Sequence, residues 1–226
     1  GRQRMLSQRM AKAWLALLQK TESGSAQQVL DRSMALFDRQ HTELKAYAPT
    51  PDLQATYQKL EAAWSEYKAL LVGAAPQRAN AASLLAADAR VLALAHQGTV
   101  QYEAASGKPV GRLVNIAGRQ RMLSQRMAKF YLAASVPVER DAATTEIGKA
   151  RTEFLTAMET LRQAPEATSR IREELQLADG QWVFFDSALQ KAQTASPRAL
   201  SDVFVTSENL LSVMDRVTGL YAAIKA

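Results

Sequence analysis

Apolar residues return at steps of three and four along almost the whole chain, and the pattern is written twice. Leu53, Tyr57, Leu60, Trp64, Tyr67 and Leu71 form one stripe, and Ile171, Leu175, Ala178, Trp182, Phe185 and Leu189 repeat its steps 118 residues later. This spacing keeps one face of an α-helix apolar. A second pair of segments matches as well: Leu30, Phe37, His41 and Leu44 answer to Ile147, Phe154, Met158 and Leu161. The fourth segments of the two copies run from about Pro76 and about Pro197 to around Tyr102 and Tyr221. Thr50-Pro51 and Ser196-Pro197 predict an N-cap followed by proline at the first helical position. Gly24 with its serine neighbours and Gly107-Lys108-Pro109 predict breaks.

The first segments differ from the others in kind. GRQRMLSQRMAK fills Gly1–Lys12 and returns letter for letter at Gly118–Lys129. The chain is a tandem duplication. Its flanks have drifted apart, yet these twelve residues have not changed. A plain core helix would have exchanged Leu for Met or Ile, because volume-conserving swaps cost little. The expected fold is all-α: two tandem four-helix bundles, residues 1–106 and 110–226, each up-down-up-down. An even number of helices returns the chain to its starting end. The short break at Gly107–Pro109 then predicts bundles packed side by side and related by a pseudo-two-fold axis.

At 100° per residue, Leu113, Ile116, Leu123, Met127 and Phe130 gather on one face of the second motif helix, the side expected to face its own bundle. Gly118, Arg121 and Gln125 fall opposite, and Gly1, Arg4 and Gln8 do the same in the first copy. A glycine inside a helix costs about 1 kcal/mol, so close approach by another backbone or a ligand is the expected reason for keeping it. Two such faces meeting across the pseudo-axis would set Arg4 opposite Arg121. Facing guanidinium groups repel unless an anion lies between them. Arg9 and Arg126 lie at the flank, where an ordinary salt bridge to a neighbouring helix is expected. Ser7 and Ser124 read as packing hydroxyls, Met5 and Met122 as seam residues, and His41 as a core or boundary histidine.

Composition narrows the chemistry. The 226 residues include 47% apolar ones, no cysteine, and a net charge of +6. Disulfides, thiolate sites and covalent haem attachment are excluded. No Glu-x-x-His pair of the di-iron bundles occurs, and no glycine-rich phosphate loop. No enzyme activity, metal or cofactor is expected. The basic residues are interspersed among 22 acidic ones, so nucleic acid is not an expected partner. No apolar run approaches the roughly 18 residues of a membrane span.

The stretch Asn115-Ile116-Ala117-Gly118-Arg119-Gln120-Arg121-Met122-Leu123-Ser124-Gln125-Arg126 resembles the signature of the PilJ/NarX-type sensor domain. That signature reads roughly I-N-x-A-G-x-x-R-M-x-S-x-R, and the first copy matches it from Gly1, Arg4, Met5, Ser7 and Arg9. The resemblance implies a periplasmic four-helix bundle of chemoreceptors and nitrate/nitrite sensor kinases. In nitrate-sensing members it implies an anion held between two first helices by the arginine that precedes the methionine. Carried over, those residues are Arg4 and Arg121, with Gly1 and Gly118 beside them; Gln8 and Gln125 share their face. The expected protein is thus a non-catalytic, periplasmic sensor that binds nitrate or nitrite between its repeats. It would be either an excised receptor region or a secreted protein without its leader, signalling to a membrane sensor or receptor. The alternative is a helical protein-interaction scaffold without a small ligand.

Overall fold

The computed structural model describes residues 1–108, 110–134, 136, 140–191 and 196–225. Pro109, part of the expected break, lies outside the described residues. The chain divides into two compact units, Gly1–Gly107 and Lys108–Ala226. The first holds α1 (Arg2–Leu18), α2 (Ser23–Tyr47), α3 (Pro51–Val72) and α4 (Ala81–Ser106). The second holds α5 (Gly111–Ala134), α6 (Arg140–Gln163), α7 (Ser169–Gln190) and α8 (Pro197–Ala222). No strand occurs among the described residues.

Each helix packs on the next, and the fourth returns to the first: α1 on α2 and α4, α3 on α2 and α4. The second unit repeats the scheme with α5 on α6 and α8, α7 on α6 and α8. That closed ring of neighbours is the up-down-up-down bundle. The predicted stripes form its core. Leu53, Tyr57, Leu60, Trp64, Tyr67 and Leu71 are buried, as are Ile171, Leu175, Ala178, Trp182 and Phe185. Aromatic packing is duplicated too: Trp64 lies 4.3 Å from Phe37, and Trp182 lies 4.7 Å from Phe154. Tyr102 Oη donates to the Leu44 carbonyl at 2.6 Å, and Tyr221 Oη donates to the Leu161 carbonyl at 2.8 Å. Each bond brings a donor to a carbonyl near a helix end, where backbone donors run short: Leu44 O also accepts from Ala48 N, whereas the residue four after Leu161 is Pro165, which has no N–H to give.

The caps behave as their residues require. Thr50 Oγ1 accepts from Leu53 N at 3.2 Å, and Ser196 Oγ accepts from Ala199 N at 3.1 Å, each followed by proline. Gly107 ends α4 at φ +59°, a left-handed conformation that glycine adopts without a Cβ clash. Two expectations shift. Gly24 lies within the first turn of α2, and the preceding break is made by Lys20 and Glu22 at φ 55° and 46°. Pro76 does not open α4: a single 3-10 turn at Arg78–Asn80 intervenes, and α4 starts at Ala81.

Candidate ligand-binding site

The motif helices are buried around most of their circumference. Every residue from Gln3 to Ala16 of α1 except Arg9 is buried, and α5 is buried almost as completely from Ala117 to Ala133. This corrects the two-faced reading of the motif. Arg4, Gln8, Arg121 and Gln125 do not sit on a face turned away from their own bundle. The first helix packs between two neighbours, and its polar side lies against the fourth helix, whereas the wheel allowed for one buried face only.

In the first unit, Arg4 is fully buried and its Nη1 lies 3.2 Å from His96 Nδ1 on α4. One turn on, Gln8 Nε2 donates to Asp88 Oδ1 at 2.7 Å. In the second unit, Arg121 Nη1 donates to Asp215 Oδ1 on α8 at 2.6 Å, and Gln125 Nε2 donates to the Ser207 carbonyl at 3.2 Å. The register is therefore the same in both: arginine reaches one fourth-helix position, and glutamine reaches the position eight residues earlier. The side chains at those positions differ. Copy one has histidine beside the arginine and a carboxylate beside the glutamine; copy two has the carboxylate beside the arginine.

Serine closes the cluster. Ser7 Oγ donates to the Arg4 carbonyl at 2.9 Å and Ser124 Oγ to the Arg121 carbonyl at 2.8 Å, both buried, as packing hydroxyls do. In each copy the glutamine Nε2 also donates to its neighbouring serine, at 3.2 and 3.3 Å. The remaining carbonyl oxygens, Gln8 Oε1 and Gln125 Oε1, are buried without a hydrogen-bond partner. An unmet buried acceptor costs about 1–3 kcal/mol, and a water molecule would relieve it. From α3, Tyr67 Oη donates to the Ser7 carbonyl at 2.8 Å, and burial pushes its phenol well above the ordinary value.

The rest of the motif faces the second helix of its unit. Arg126 Nη2 donates to Glu146 Oε2 at 2.8 Å on α6, the flank salt bridge expected of it. That hydrogen bond holds the Glu146 carboxyl below its usual range. Arg119 pairs with Glu153, and Gln120 Nε2 donates to the Phe154 carbonyl at 2.8 Å. The two glycines occupy unlike settings: Gly1 is the exposed N-cap of α1, and Gly118 is buried within α5.

Sequence reasoning missed the fourth-helix partners. A signal for two of them was present: Asp88 stands on the stripe Leu84, Val91, Ala95, and Ser207 on Val203, Leu210, Met214, each a polar residue in an apolar row. His96 has no histidine counterpart in the second copy, and the residue that takes its place there is Asp215. Lys12 and Lys129 were also missed as buried residues; Lys129 Nζ lies 4.3 Å from the Phe130 ring. Among the described residues no group of three or more metal-ligating side chains forms, and no helix is long and apolar enough to cross a membrane.

Comparison with known proteins places these bundles. Searches of curated proteins and of solved structures found no match. The model of the family PilJ, Type IV pili methyl-accepting chemotaxis transducer N-term, matches residues 1–90 and again 102–204. The chain belongs to this family, in two tandem copies. Membership gives it a sensor or signalling role within a family of extracytoplasmic, non-catalytic domains.

Proposed function

We propose that this tandem PilJ protein is a periplasmic ligand sensor that binds a small oxyanion, nitrate or nitrite first, at the buried motif arginine of a bundle, Arg4 in the first and Arg121 in the second. The observation that carries the reading is the duplicated, buried arginine, set in each copy against the fourth helix of its own bundle. Burying a guanidinium costs several kcal/mol unless partners compensate, and a helix needing only to pack would carry Leu or Met there. Guanidinium presents a planar fork that matches planar oxygens, which an ammonium does not.

Arg121 already holds a carboxylate, so an anion at this position competes with Asp215. That exchange supplies two states, one with α5 tied to α8 and one with the arginine turned to the ligand. Differential affinity for two states is what a sensor requires. A four-atom anion gains at most about 1.5 kcal/mol per atom, which puts the dissociation constant no tighter than tens of micromolar. Each arginine lies within its own bundle, so each unit carries its own site in this reading, and the shift passes to a membrane receptor.

Titration calorimetry with nitrate, nitrite, sulfate, phosphate and chloride tests the proposal. Nitrate or nitrite should bind, Arg4→Lys should remove the first unit's site and Arg121→Lys the second's, and Arg126→Ala should keep both. Full binding by both lysine variants, or a single anion lost on either substitution alone, would overturn it. The Arg121–Asp215 ion pair favours a second reading, a helical interaction scaffold in which the motif arginines only tie helices together. Absence of binding by every anion selects that reading.

A further inference from the structure

The outward face of α7 carries a second stripe. Glu173, Leu177, Gly180, Phe184, Ser187 and Lys191 follow one another by four, three, four, three and four residues, and all six are exposed. Leu177 is 55% exposed and Phe184 63%, with Val183 beside them at 64%. A Cβ added at Gly180 would meet nothing within 4 Å, so its surface is an open notch. The fold does not demand this face. The matching positions of α3 are Lys59, Ala62, Ser65 and Glu66, and Glu66 there pairs with Arg90 at 2.6 Å. One copy thus builds the same helix with a polar exterior, while the other exposes a large aromatic and keeps a glycine that a helix interior disfavours.

The stripe is complementary to itself. When two copies of α7 run antiparallel about a two-fold axis midway between Gly180 and Phe184, each Phe184 stands over the Gly180 notch of the other chain. The same register sets Glu173 against Lys191 at both ends and Leu177 against Ser187. An isologous interface needs this property: one patch that matches itself after a half turn. The heptad-like steps supply the seam, and the opposite end charges select antiparallel over parallel pairing, which would set like charges together.

We infer that α7 is a homodimerisation surface, pairing antiparallel with α7 of a second copy of this chain through Phe184 on Gly180. A single helix pair lies at the small end of specific interfaces, so the dimer is of micromolar or weaker affinity.

Sedimentation equilibrium of the whole chain, over about 5 to 500 micromolar, tests this. The wild type should show a monomer–dimer equilibrium, and Phe184→Glu, with unchanged helicity, should weaken it about 100-fold or more, since the anchor is lost twice per dimer. Glu173→Lys and Lys191→Glu should each weaken it about tenfold, and the double exchange should restore wild-type association. A monomer at every concentration overturns the inference. So does a dimer indifferent to Phe184→Glu, or a double exchange that fails to restore. A monomer that sediments with anionic phospholipid vesicles through Phe184 also overturns it and assigns the stripe to a lipid surface.

Discussion

The two motif helices are identical over twelve residues, yet they meet different chemistry. Each sets an arginine and a glutamine, one turn apart, against its fourth helix, and in each a carboxylate of that helix accepts from one of the two. In the first copy the carboxylate, Asp88, meets Gln8, and Arg4 faces His96. In the second, Asp215 meets Arg121, and Gln125 turns to a backbone carbonyl. The acid has moved eight residues, about 12 Å along the helix, from the glutamine's position to the arginine's. An unchanged sequence segment therefore does not guarantee an unchanged site, because half of each cluster comes from a helix that has drifted.

The largest expected effect should be the same in both copies. Leu6 and Leu123 are motif leucines buried in their bundle cores. Leu6→Ala and Leu123→Ala should each cost about 2–5 kcal/mol, read by denaturant unfolding, and unequal costs would show that the motif packs differently in the two units.

The next effect should separate them. Asp215→Ala removes the carboxylate from a 5% exposed arginine and should destabilise the second unit by about 1–3 kcal/mol. His96→Ala removes the imidazole beside Arg4 and should cost no more than about 1 kcal/mol. Equal losses would abolish the distinction between the sites. His96→Asp should copy the second site into the first and lower the affinity for nitrate.

A pH effect should belong to the first unit alone. His41 is buried between Phe37 and Tyr57, with no hydrogen bond to either ring nitrogen, and its counterpart is Met158. Burial pushes its pKa down, opposed by the Glu61 charge. The unfolded chain then takes up a proton near pH 6.5 that the folded chain resists. Stability is complete above about 6.5 and is lost as pH falls from there towards the folded pKa. His41→Met should flatten unfolding free energy against pH across that window; an unchanged slope would assign it to another group.

The smallest effect should come from Arg126→Ala. Its partner Glu146 is partly solvated, so the loss should stay below about 1 kcal/mol. The Glu146 carboxyl should return to its ordinary range in an NMR titration.

Much of this was legible without coordinates. The periodic stripes of α3 and α7 specify which residues are buried, and the threonine or serine before Pro51 and Pro197 specifies where helices begin. The break before α2 was harder to place, because Lys20 and Glu22 take left-handed conformations that nothing in their type demands. The burial of Arg4 and Arg121 was misjudged for a different reason. A helical wheel gives a side chain's direction about its own axis, but says nothing of how many neighbours surround that axis.

The sequence by itself determined the duplication, the eight-helix plan, the family and the special standing of the motif, since each is written in local spacing. Only the tertiary structure decided what the motif touches. The partners of Arg4 and Gln8 lie 92 and 80 residues away. Their match depends on how far α4 is slid along α1. Side-chain volume along the whole interface sets that slide, so no segment read alone contains it.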